Sequence, residues 1–181
     1  MAKRTHISTK IMLEIIGDVS HKMRIANNEV FKPNRIELST KNLSEILGKI
    51  TESSSAEILS KRLRLTVNNA RSDAAADLTF EETGEKFEIK VSSTDSGWQG
   101  GEFSDRPYDY IFISWGGDFD EFFVARALLT KKSWHSNIKK RRYGTTYYAK
   151  DLYKNRTREI FLGKLYITPR GAIRVRREKI R

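Results

Sequence analysis

At residues 77–90 the chain reads DLTFEETGEKFEIK, and apolar and polar residues alternate on both sides of a short interval. With the two-residue period of a strand, the apolar side chains in and just after this stretch share one face: Leu78, Phe80, Phe87, Ile89 and Val91. The interval 81–84 ends in Gly84, which suits a tight hairpin connection. The sequence therefore predicts a β-hairpin with one apolar face and one polar face.

The polar face of this hairpin brings charged side chains together. If Phe80 pairs with Glu85, the same register places Asp77 opposite Glu88, and Lys90 follows two residues along the strand. Two adjacent carboxylates repel each other and destabilise a sheet, but they could hold a hard divalent cation next to a phosphate. The alternative is an ordinary solvated strand face. The metal-site interpretation is favoured because Glu88 and Lys90 form the only Glu-x-Lys sequence in the chain.

Composition limits the classes of function. The 181 residues suffice for one domain with its own core, and the absence of cysteine excludes disulfides and thiolate zinc sites and fits a reducing cytoplasm. Neither a membrane span nor a signal peptide is expected, because no apolar run approaches about 18 residues. Lys and Arg number 34 against 23 Asp and Glu, a formal net charge of +11. That surplus favours a polyanion partner, with nucleic acid ahead of a merely soluble basic protein.

Cationic residues are clustered towards the C-terminus. Candidate DNA contacts there are Lys139, Lys140, Arg141, Arg142, Arg174 and Arg176. Residues 160–177 read as a second hairpin around the turn 168–171, with arginines alternating with apolar residues near its end. The alternative is an edge strand that its charges protect from unwanted pairing. Trp98 and Gln99, in the loop after Lys90, are further candidate DNA contacts, although Trp98 could equally cap the core.

The N-terminal third reads as three helices: residues 12–27, a short one from Ser39 or Thr40 to Ile50, and one from Ser54 to about Asn69. Ser54 and Glu57 match a capping box, in which each side chain bonds to the other residue's backbone amide. After the central hairpin, residues 108–115 and 122–129 read as strands, and a short helix begins or ends within 151–155.

This order of a helix, an Asp-bearing strand, a Glu-x-Lys strand and further strands resembles the PD-(D/E)XK, or restriction endonuclease-like, nuclease superfamily. Ala76-Asp77-Leu78 resembles the first half of the motif, with alanine where proline is often found, and Glu88-Ile89-Lys90 resembles the second half. The resemblance covers roughly residues 54–130. It implies an α/β fold, in which helices flank a mixed central β-sheet.

The same resemblance implies roles for individual residues. Asp77 and Glu88 would ligate Mg²⁺, for which Mn²⁺ could substitute, and the Ile89 carbonyl is a further oxygen ligand. Lys90 would orient the attacking water or neutralise charge in the transition state. Many members carry a glutamate in the preceding helix, and Glu57 has that relative position; it would act through water or a second metal, or serve only in the capping box.

A rival first metal ligand is Asp73, which has the same strand parity as Asp77. In a regular hairpin it lies about 13 Å beyond the position opposite Glu88, so Asp77 is favoured.

The resulting expectation is a single nuclease domain over residues 1–181. Residues 1–53 would form a helical extension for dimerisation or DNA contacts, residues 54–130 the catalytic core, and residues 131–181 a basic DNA-binding region ending in the hairpin. A type II restriction endonuclease acting as a homodimer on double-stranded DNA fits this size. The alternatives are a Holliday-junction resolvase or repair nuclease of the same fold, and a non-catalytic nucleic-acid-binding protein.

Overall fold

Two long helices precede the sheet in the computed structural model, which describes residues 5–69, 76–93, 97–100, 109–129, 135–136, 145–147, 158–168 and 172–176. Helix α1 spans Thr9–Ile25 and starts at Ser8, whose hydroxyl oxygen accepts from the Ile11 amide at 3.3 Å. Its apolar positions are buried, as the spacing predicts. The chain continues as a π-helical turn over Ala26–Phe31, so the α-helix ends just before the predicted stop.

Helix α2 is one continuous helix over Thr40–Leu63, capped by Ser39. The prediction of a separate helix with a capping box at Ser54 was wrong. Ser54 is buried in mid-helix, where its hydroxyl accepts from Lys22 Nζ at 3.1 Å. The helix stops at Arg64, which has a left-handed φ of 56°, so the predicted extension to Asn69 was also wrong.

The main sheet has seven strands in the order β1-β2-β3-β5-β6-β9-β10. The strands are β1 Val67–Asn69, β2 Leu78–Phe80, β3 Lys86–Ser92, β4 Trp98–Gly100, β5 Asp109–Gly116, β6 Glu121–Leu128, β7 His135–Ser136, β8 Thr145–Tyr147, β9 Arg158–Ile167 and β10 Ile173–Arg176. Neighbours are antiparallel except β3 and β5, which are parallel. The mixed α/β architecture and the C-terminal hairpin are therefore confirmed, and β5 and β6 lie within one residue of their predicted bounds.

The two faces of this sheet have different coverings. On one face, α1 and α2 pack against a large apolar cluster that includes Phe87, Ile89 and Ile111. On the other face, Phe112 and Phe123 pack against Trp98 of β4, with ring centroids 4.9 and 5.7 Å apart. Strand β4 belongs to a second sheet of order β4-β8-β7. The polar residues of β3 alternate with its helix-facing residues and therefore lie on the face opposite the helices.

The predicted division at residues 53 and 54 does not coincide with a structural break, because α2 runs through it. Leu47 from the first half of this helix and Leu59 from its second half belong to the same apolar cluster. Among the described residues, none of the helices combines the length and apolar character needed to cross a membrane.

Candidate active site

The predicted register of the central hairpin is confirmed. Leu78 pairs with Phe87, Thr79 pairs with Lys86, and the Phe80 amide donates to the Glu85 carbonyl at 2.9 Å. Asp77 directly precedes β2 in the same register and stands opposite Glu88. The structure therefore brings together the two carboxylates that the alternation of the sequence places on one face.

Asp77 extends the hairpin ladder with its side chain. Its Oδ2 accepts a hydrogen bond from the Ile89 amide at 2.6 Å. In a regular antiparallel ladder that amide would bond to the carbonyl of Ala76, two residues beyond the Leu78–Phe87 pair. The amide and carbonyl of a strand residue point the same way, so the Ile89 carbonyl also faces the side where β2 has ended. Asp77 is thus held in a defined position next to a backbone oxygen.

Glu88 and Lys90 form a close ion pair on strand β3, beside Asp77. Lys90 Nζ donates to Glu88 Oε1 at 2.5 Å, and each side chain is only 18% exposed. Alternation along β3 places both side chains on the face opposite the helices. The ammonium group is therefore positioned beside the carboxylates, as the Glu-x-Lys spacing predicts.

The pKa of Asp77 is raised to about 7, first by burial and next by the negative charge of Glu88. The charge of Glu52 raises it further, whereas the Ile89 amide and the charge of Lys90 lower it. Asp77 is thus a desolvated carboxylate in an excess of negative charge, an environment that a divalent cation would stabilise.

The helix glutamate near the site is Glu52, not Glu57. Glu52 is 8% exposed on α2, it accepts from Lys49 Nζ at 2.9 and 3.0 Å, and its charge acts on Asp77. The Glu57 side chain is 74% exposed and has Lys22 Nζ at 4.0 Å. Five residues of helix turn the side chain by about 140°, so the two glutamates cannot share a face. Sequence reasoning missed Glu52 because it assumed a helix break around this position.

The donor set is suited to a hard divalent cation. It consists of the carboxylates of Asp77 and Glu88 and the Ile89 carbonyl, and Mg²⁺ binds such oxygens while keeping several waters. Within the described residues, no group of three or more His, Cys, Asp or Glu side chains is gathered as a metal centre. The site therefore offers two carboxylates and a backbone oxygen, with Glu52 close enough to act electrostatically.

The candidate DNA contacts have different outcomes. Trp98 is completely buried, and its Nε1 donates to the Ile113 carbonyl at 2.8 Å, so the DNA-contact interpretation was wrong and the core interpretation is correct. Gln99 and Arg174 are exposed. Arg176 lies in β10, opposite Lys164.

Two further candidate groups fall outside the described residues: Asp73 and the cluster Lys139, Lys140, Arg141 and Arg142.

Comparison with known proteins does not assign this arrangement to a family. No protein-family model matches the chain, and no curated protein matches it. Functional inference therefore depends on the residues themselves. Their arrangement could bind a divalent cation against an anionic substrate and hold an ammonium group beside the reacting atoms.

Proposed function

We propose that this protein is a Mg²⁺-dependent endonuclease that hydrolyses phosphodiester bonds of double-stranded DNA, and that it is a type II restriction endonuclease of the cytoplasm. The observation that carries the proposal is the pairing of Asp77 with Glu88 at the end of β2, where burial and neighbouring charge raise the pKa of Asp77 to about 7. Such perturbed carboxylates are typical of catalytic sites.

The chemistry follows from the groups around this pair. Asp77 and Glu88 would hold the ion, oriented by the Ile89 amide and by Lys90 respectively. Bound Mg²⁺ would neutralise phosphate charge and lower the pKa of its water. Lys90 would orient the attacking water or stabilise the charge that develops as the new P–O bond forms and the bond to the leaving sugar oxygen breaks. Glu52 would act on the site through its charge.

The substrate class is inferred from charge. The formal net charge of +11 favours a polyanion, and the hydrolytic site suits a phosphodiester. Duplex DNA and site specificity rest on the resemblance of Asp77, Glu88 and Lys90 to the restriction endonuclease-like motif. A homodimer would present one site to each strand of a palindromic sequence.

A non-catalytic nucleic-acid-binding protein is the second candidate. The observation that favours it is the 2.5 Å pair between Lys90 and Glu88, which neutralises one of the two carboxylates without any metal ion. In that case Glu88 and Lys90 would be a structural ion pair on a polar strand face.

Incubation of the purified protein with plasmid and unrelated linear duplexes, with Mg²⁺ or with chelator, tests the proposal. The expected result is cleavage that chelator stops, into discrete fragments whose sequenced ends share a short motif. A preference for four-way junctions would indicate a resolvase, and cleavage without sequence preference would indicate a repair nuclease. Absence of cleavage across many DNA sequences and divalent metals, Mn²⁺ included, would contradict an enzymatic function.

A further inference from the structure

The positive charge of this chain comes from its last 51 residues. Residues 131–181 contain 17 Lys or Arg and three Asp or Glu, whereas residues 1–130 contain 17 Lys or Arg and 20 Asp or Glu. The part of the chain that contains the candidate catalytic carboxylates is therefore slightly acidic, and attraction of a polyanion must come mainly from the C-terminal third.

Strand β10 of this basic third presents Arg174 on a defined face of the sheet. Ile173 packs against the apolar cluster beneath α1 and α2. Because neighbouring strand residues point to opposite faces, Arg174 lies on the face away from the helices, where it is exposed. Glu88 and Lys90 share that face. The ladder Arg174–Tyr166–Glu121–Gly116 runs across β10, β9, β6 and β5, and continues towards β3.

The distance between these groups suits a nucleic-acid backbone. Strands β3 and β10 are four positions apart in the sheet. With about 4.8 Å between neighbouring strands, Lys90 and Arg174 are separated by roughly 19 Å across the sheet, and their register adds four residues, or about 13 Å, along the strands. One DNA strand has a phosphate about every 3.4 Å along the helix axis, so a duplex running obliquely over the sheet would place about seven phosphates of one strand over the resulting span of about 23 Å.

The opposite side of the molecule is less suited to a polyanion. Four of the seven Lys and Arg residues of α1 and α2 are paired with acids of the same two helices: Lys22 with Asp18, Lys41 with Glu45, Lys49 with Glu52, and Arg62 with Glu14. The second sheet, which covers the helix-free face through Trp98, instead takes two of its three strands, β7 and β8, from the basic third.

We infer that nucleic acid binds on the helix-free side of the main sheet, outside the second sheet that covers Phe112 and Phe123, and that Arg174 contacts a phosphate of the same duplex whose cleaved bond lies at Glu88 and Lys90. This inference rests on the proposed function for the nature of the substrate. It identifies the side on which DNA approaches. Arg174 is a binding residue, remote from the reacting atoms.

The test measures duplex binding in chelator, where no cleavage occurs, as a function of KCl concentration. Arg174→Gln is expected to weaken binding of a 30-base-pair duplex roughly three- to tenfold and to reduce the salt slope by about 0.9, the value for one phosphate contact. Arg174→Lys should keep the wild-type slope. The matched control is Lys41→Gln, which removes an 85% exposed cation from α2 and should leave affinity and slope unchanged.

An unchanged slope in Arg174→Gln, or an equal loss in Lys41→Gln, would overturn the inference. If Arg174→Gln kept the wild-type salt slope but eluted as a larger particle in size-exclusion chromatography, the inference would likewise be overturned. That result would indicate that Arg174 only protects the edge strand β10 from pairing with other chains. Tighter binding of a duplex RNA of the same length would overturn DNA as the partner. Cleavage with normal binding by Arg174→Gln would refute only this inference, whereas the predicted slopes without any cleavage would refute only the nuclease proposal.

Discussion

Asp77 lies directly opposite Glu88, and the Asp77 carboxylate takes the hydrogen bond with which the antiparallel ladder would otherwise continue. This relationship combines two effects. The Asp77 carboxylate holds the end of β2 against β3. The same carboxylate is desolvated and lies next to the negative charge of Glu88. Ionisation of Asp77 in this place should therefore lower the stability of the metal-free fold.

Asp77→Asn should stabilise the metal-free protein at pH 8. The folded-state pKa of Asp77, about 7, lies above its ordinary value of 3.8, so the folded protein holds this proton more tightly, and wild-type stability falls as the pH rises from 3.8 through 7. The expected gain in the free energy of unfolding is on the order of 2–4 kcal/mol at pH 8 and close to zero at pH 4. Urea unfolding at both pH values measures it.

The control for this substitution is Asp118→Asn, at an exposed aspartate that pairs with Lys32 at 3.2 Å. It removes an exposed carboxylate that is already ion-paired, so it should give no gain at pH 8. A gain of equal size for Asp77→Asn at pH 4 and pH 8 would contradict the assignment of a raised pKa.

Glu52→Gln and Glu57→Gln form a matched pair on one helix. The charge of Glu52 acts on the Asp77 carboxylate, whereas the Glu57 side chain faces solvent. Glu52→Gln should therefore weaken Mg²⁺ binding about 10- to 100-fold, and Glu57→Gln should change Mg²⁺ binding little. Isothermal titration with Mg²⁺ distinguishes them without reference to cleavage. A larger effect of Glu57→Gln would contradict the placement of Glu52 at the site.

Trp98→Ala should destabilise the fold by about 3–5 kcal/mol, because a buried ring and its hydrogen bond to the Ile113 carbonyl are lost. Gln99→Ala, at the exposed neighbour, should leave stability within about 0.5 kcal/mol. Chemical denaturation measures both. If Trp98→Ala were as stable as the wild type but bound DNA weakly, the DNA-contact interpretation of Trp98 would be reinstated.

A dimer, if formed as we propose, should use the apolar surface at the end of α1. The exposed large hydrophobic side chains of the described residues are Ile25, Val30 and Ile36, at 40, 46 and 44% exposure. Val30→Glu should convert a dimer of twice the 21.0 kDa chain mass into monomer, as measured by light scattering. Asn28→Glu adds the same charge without removing apolar surface and should remain dimeric. A dimeric Val30→Glu would place the interface elsewhere.

The sequence predicted the local parts of this structure best. The two-residue alternation and Gly84 sufficed for the hairpin register, because both act between neighbours in the chain. The continuity of α2 was missed because Ser54 and Glu57 match the capping box of a helix start. In the structure Thr51 donates to the Leu47 carbonyl at 2.7 Å, and Ser54 is covered by α1. Their burial depends on packing that periodicity does not record.

Longer-range features were less predictable for the same reason. Trp98 is buried because β4 pairs with β8, whose residue Tyr147 is far along the chain. The placement of Glu52 near Asp77 can be deduced only once α2 is known to be one continuous helix. Val67–Asn69 forms strand β1 through pairing with β2, although its two asparagines read locally as a helix stop.

The most direct test of the proposed nuclease is the effect of Glu88→Gln on plasmid cleavage in Mg²⁺, beside duplex binding in chelator. Glu81→Gln, at an exposed glutamate of the same hairpin, is the control. The proposal predicts that Glu88→Gln lowers the cleavage rate by about 10²–10³ while DNA affinity and the control remain unchanged. Cleavage by Glu88→Gln at the wild-type rate, or a wild-type protein that binds DNA and never cleaves it with any divalent metal, would contradict it.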